Sequence, residues 1–104
     1  MSRSLNRKPT HPGVLFLEDV LQPLKVKITD AADAMGISRK HLSLFVNGRI
    51  PCTKDMARRI AKASNTSMGS WLNMQTALDV WEAEHENIQA EKYAGIKSLV
   101  PDAA

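Results

Sequence analysis

Between Ser38 and Lys54 the chain gathers hydrogen-bonding side chains on one side of a short helical pattern. Arg39, Lys40, Ser43 and Asn47 fall opposite the apolar residues Leu42, Phe45 and Val46, with His41 and Leu44 at the margins. Arg39 or Lys40 could donate to guanine O6 and N7, Ser43 could serve either base type, and Leu44 could touch a thymine methyl. Thr29, Ser38, Arg49, Thr53 and Lys54 stand at helix starts or in the loop beyond, where amides and hydroxyls meet phosphates. Each has a plainer reading. Arg39 and Lys40 equally suit a solvated helix surface or phosphate contact, and helix capping is a sufficient role for Thr29, Ser38 and Thr53.

Catalytic chemistry finds less support. Cys52 follows Pro51 in a loop with no basic partner at recognisable spacing, so it reads as an inert small residue rather than a nucleophile. Glu82 and His85 are spaced as in half of a di-iron site, but the second half is missing and the pair suits a helix surface. His11 fits a helix cap, and the three histidines show no metal-ligand pattern. The chain reads as a non-enzyme without cofactor or metal.

The elements that must position the donors are two helices meeting at Gly36. Thr29 is expected to cap the first, Asp30 suits its positive end, and the pattern stops at Gly36, a residue that accepts a left-handed backbone. Only Ile37 intervenes before Ser38 caps the second. Helices joined this tightly form a helix-turn-helix, and Ala31, Ala32 and Ala34 would allow a close approach.

A chain of 104 residues should hold one domain, near the size at which help from a partner subunit becomes useful. A single cysteine gives no internal disulfide, and Glu18 and Asp19 cut off the apolar run after Leu17. That run is too short for a signal-peptide core or a membrane span, so a cytoplasmic protein without membrane attachment is expected. The net charge of +3 is unevenly spread: residues 1–65 hold twelve bases against five acids, and residues 66–104 two against six. A basic half carrying the tight turn suits a polyanion, although solvated faces of an ordinary domain would look the same.

In chain order, residues 1–9 read as a mobile basic arm, residues 10–92 as the domain, and residues 93–104 as an irregular tail. Pro12 opens a first helix with Thr10 or His11 as cap; Val14, Leu15, Leu17, Val20 and Leu21 form its apolar face, and Pro23 ends it. Thr53 caps a fourth helix with Met56, Ala57, Ile60 and Ala61 toward the core and Arg58, Arg59 and Lys62 outward. Ser67 can cap a long last helix running to about Lys92. Trp71, Met74, Leu78 and Trp81 make one stripe at helical spacing, and Leu72, Ala77, Val80 and Ala83 fall on neighbouring angles. One stripe can pack on the domain core, and a second wants a partner, for which the two tryptophans are the natural anchors. Trp71, Leu78, Val80 and Trp81 are therefore the expected dimer contacts.

HPGVLFLEDVLQPL, AADAMGISRKHLSLFVNGR, TKDMARRIAKASNTS and WLNMQTALDVWEAE, in this order, resemble an antitoxin of the HigA type in the Xre or Cro-like repressor superfamily. The HPG opening, the Ala32, Gly36, Leu42 and Phe45 frame and the run from Trp71 to Gln75 carry the likeness. Lys25 departs from a common glycine, and Met68, Gly69 and Ser70 from a common Pro, Glu and Phe. The resemblance implies an all-α, five-helix lambda-repressor-like domain with a long C-terminal helix. It also implies a homodimer that binds double-stranded operator DNA in its own promoter and neutralises a cognate RelE/HigB-like mRNA-cleaving toxin. A stand-alone or prophage-type repressor, and a protein-interaction module that has lost DNA binding, are the alternatives.

Overall fold

Helix starts and stops follow local side-chain chemistry. The computed structural model describes residues 7–85 and 90–101, which form helices and short connections with no strand among them. The first six residues of the arm, residues 86–89 of the expected long helix, and residues 102–104 lie outside the described residues.

Helix α1 comprises Pro12–Phe16, a π-helical turn at Leu17–Leu21 and a final Gln22–Leu24. His11 caps it, its Nδ1 accepting the Gly13 amide at 2.9 Å. The wider π turn brings Phe16 and Leu21, five residues apart, into the core together, so Phe16, which lies outside the expected stripe, is buried at 1% alongside the stripe's Leu21 at 3%. Pro23 does not end the helix. Its fixed φ suits helical backbone, and the stop comes at Lys25, which takes a left-handed φ of 58°. There Val26 N–H bonds Leu21 O at 2.9 Å and Lys25 N–H bonds Gln22 O at 3.0 Å, a Schellman closure.

Helix α2 spans Ile28–Met35 and begins before Thr29, because the Lys27 carbonyl already accepts the Ala31 amide at 2.9 Å and Ile28 packs on the core. Thr29 is consequently an exposed residue of the first turn, not the cap. Gly36, at φ 71°, ends α2 with a second Schellman closure, Ile37 N–H to Ala32 O at 3.0 Å. Ala31 and Ala32 are buried as expected, whereas Ala34 faces solvent, since it lies about 200° around the helix from Ala32.

Helix α3 runs Arg39–Val46 from its Ser38 cap, whose Oγ accepts the His41 amide at 3.0 Å. Gly48, at φ 72°, closes it. Thr53 Oγ1 accepts the Met56 amide at 3.2 Å to start α4, Lys54–Ser64, which stops at the left-handed Asn65. Helix α5 covers Met68–His85 and buries Trp71, Gln75 and Leu78 at successive turns. A short α6, Ala90–Ala94, makes Tyr93 and Ala94 helical where the tail was expected to be irregular.

Phe16, Met35, Leu42, Phe45, Met56, Ile60 and Trp71 meet in one core. Phe16 and Trp71 pack edge to face with centroids 5.9 Å apart, and Trp71 Nε1 donates to Thr66 Oγ1 at 2.7 Å. At Gly13 the α1 backbone comes close to α3. A Cβ there would lie 1.8 Å from the Phe45 carbonyl oxygen, so glycine alone allows the approach.

Candidate nucleic-acid interface

Leu42 and Phe45 are 0% exposed and Val46 is buried beside them, which fixes the rotation of α3 and leaves its other side outward. Arg39, Lys40 and His41 are exposed in its first turn, Ser43 is half-buried and Leu44 is 37% exposed. Asn47 occupies the helix end instead. Its Nδ2 donates to the Ser43 carbonyl at 2.7 Å, so the amide serves as a C-terminal cap. Beyond the helix, Arg49, Thr53 and Lys54 are exposed, with Thr53 Oγ1 engaged in the α4 cap.

Arg59 was expected on the solvated side of α4, but it reaches across to the turn. Its Nη1 donates to Met35 O at 2.7 Å and Gly36 O at 3.3 Å, while Nε donates to Asp55 Oδ2 at 2.8 Å. That last hydrogen bond holds the Asp55 carboxyl below its ordinary range, helped by the charges of Arg59, Arg58 and His41. The four-residue spacing of Asp55 and Arg59 was visible in the sequence; the carbonyls 23 and 24 residues away were not.

His11 joins α1 to the far end of α3. Its ring meets Phe45 edge-on at a centroid distance of 5.7 Å and lies beside Gly48. Burial lowers its pKa from 6.5, partly offset by a hydrogen bond with the Ile50 backbone and by Glu82 and Asp79. The loop after α3 is tied to α5 by Gln75, whose Oε1 accepts the Cys52 amide at 2.7 Å and whose Nε2 donates to Asp79 Oδ1 at 2.8 Å. Cys52 itself is buried and its thiol is pushed up to about 11, which keeps it protonated and unreactive at neutral pH.

Two of the four expected dimer contacts are already used. Trp71 and Leu78 lie within the chain's own core, at 5% and 4% exposure, because the first turns of α5 pack on α1 and α4. Val80 is 50% exposed and Trp81 half-buried. His85 stacks on the Trp81 ring at 4.4 Å, and Lys8 reaches over it at 5.5 Å while pairing with Glu82 at 3.5 Å. Among the described residues no cluster of His, Cys, Asp and Glu could hold a metal, and no helix is long and apolar enough to cross a membrane.

An all-helical domain in which a left-handed glycine joins two short helices, the second with a polar, basic outer face, defines a helix-turn-helix protein. No family model matches the chain. It is 35% identical over 97 residues to the HTH-type transcriptional regulator YbaQ of Escherichia coli K12, covering 93% of this chain and 86% of that protein. A HigA-family addiction module antidote from Coxiella burnetii is 31% identical, with a TM-score of 0.69 over 74% of this chain and 84% of that one. PA4674 of Pseudomonas aeruginosa, solved with its operator DNA, is 25% identical, with a TM-score of 0.70 over 73% of this chain and 84% of that one. The chain belongs to the HigA-type antitoxins among the Xre-like helix-turn-helix transcriptional regulators.

Proposed function

We propose that this protein binds an operator in its own promoter as a homodimer and neutralises a cognate RelE/HigB-like, mRNA-cleaving toxin by direct contact in the cytoplasm. The observation that carries the DNA reading is the outward row at the start of α3: Arg39, Lys40 and His41 exposed directly after the Ser38 cap, over a core-locked Leu42 and Phe45. In a helix-turn-helix the first residues of the second helix are those that reach base edges. Arg39 and Lys40 donate to guanine, Ser43 and Leu44 complete the reading surface, and Arg49, Thr53 and Lys54 meet phosphates. Asn47, bonded to its own helix end, takes at most a peripheral part. The operator complex of PA4674 supports this reading, and the antidote name of the Coxiella relative supports a toxin partner. In a dimer the two recognition helices sit roughly 34 Å apart, facing successive major grooves of a palindrome.

Titrating the purified protein onto its own promoter and onto unrelated DNA at several salt concentrations tests this. Preference for the promoter, with affinity that falls steeply as salt rises, is the expected result. Equal binding to both would overturn it. A toxin gene beside this one and co-purification of its product would carry the antitoxin role.

A further inference from the structure

A recognition helix reads bases only if the turn before it holds one geometry. The last turn of α2 has no basic residue of its own, although a helix C-terminus draws positive charge. Arg59 supplies that charge from α4. Its guanidinium is held on both sides: the Asp55 carboxylate takes Nε at 2.8 Å, and the Met35 and Gly36 carbonyls take Nη1 at 2.7 and 3.3 Å. Gly36 leaves room for it, since a Cβ there would meet Nη1 at 3.1 Å.

We infer that Arg59 is a positioning residue for operator recognition, which fixes the exit of α2 and thereby the entry of α3 without itself reading DNA. The inference rests on the operator-binding reading above. Only Ile37 and Ser38 separate Gly36 from Arg39, so a rotation of the Met35 and Gly36 peptides passes directly to the first reading residues. The contact is partly exposed, and such pairs add little to global stability. Its consequence is geometric. A lysine at 59 would offer a point charge but not the planar fork that spans carboxylate and carbonyls.

The test compares wild type, Arg59→Ala and Arg59→Lys for binding to the operator and to an unrelated duplex of equal length across a salt series, with amide hydrogen exchange on the same proteins. Arg59→Ala should weaken operator binding by about tenfold, the scale of a lost charge-assisted hydrogen bond, while affinity for unrelated DNA and its salt dependence stay unchanged. The Gly36, Ile37 and Ser38 amides should exchange faster, with α5 unaffected. Arg59→Lys should fall between the two, and it carries the comparison if the alanine variant does not fold. Equal weakening on both duplexes, with a salt slope smaller by about one, would make Arg59 a phosphate contact and overturn the proposal. Unchanged operator affinity in the variants would overturn it too. Absence of operator preference in the wild type would instead defeat the reading on which it rests.

Discussion

Gly13 and His11 show how single side chains set the frame. With the Phe45 carbonyl 1.8 Å from where a Cβ would stand, Gly13→Ala forces α1 away from α3 and should cost about 3 kcal/mol or more, measured by urea unfolding. His11 titrates against the fold. Burial lowers its folded pKa below 6.5, so the unfolded chain binds the proton first as pH falls. Its neutral Nδ1 accepts the Gly13 amide, a bond that protonation of that nitrogen removes. Stability should be full above pH 6.5 and decline as pH drops through the folded value. Replacing His11 by glutamine should flatten that decline in urea midpoints between pH 8 and 5, and should lower stability at pH 8 by about 1 kcal/mol through loss of the cap. The HPG opening was legible in the sequence as a helix start, but its partners, Phe45 and Ile50, lie far along the chain and carried no local signal.

Helix boundaries were readable wherever a cap was decisive. Ser38, Thr53, Gly36 and Gly48 perform as their types suggest, because cap and left-handed positions depend on backbone chemistry within a few residues. Thr29 and Pro23 misled, since packing of Ile28 and a π turn outweighed local preference. Lys25 pays for that stop with a left-handed φ of 58°. Lys25→Gly should stabilise the domain by about 1 kcal/mol, read as a higher urea midpoint at unchanged slope. In α3 the outward face is the proposed reading surface. Arg39→Ala combined with Lys40→Ala should reduce operator affinity by about tenfold or more while leaving thermal unfolding within about 0.5 kcal/mol, as both side chains are exposed. A loss of folding would show that this face is structural.

For the molecule as a whole, the division of α5 matters most. Its first turns complete the core through Trp71, Gln75 and Leu78, and its later turns carry Val80 outward. If a second copy packs on that later half, Val80→Glu should shift the protein from dimer to monomer in sedimentation without lowering the stability of the core, and an unchanged dimer would move the interface elsewhere. The charge asymmetry of the sequence, basic over residues 1–65 and acidic over residues 66–104, is what such a division between a proposed nucleic-acid partner for α3 and a proposed protein partner for α5 would use.

Local pattern and capping chemistry were enough to specify an all-helical chain, the helix-turn-helix at Gly36, the inward Leu42 and Phe45, and the outward Arg39 and Lys40, because each depends on spacing within one or two turns. Contacts between distant segments required the fold. Folding alone turned Arg59 onto the carbonyls of Met35 and Gly36, Gln75 onto the amide of Cys52, and Trp71 and Leu78 into the core rather than toward a second copy. A long side chain or an amphipathic stripe can satisfy itself in several ways, and which one wins depends on the neighbours that packing brings to it.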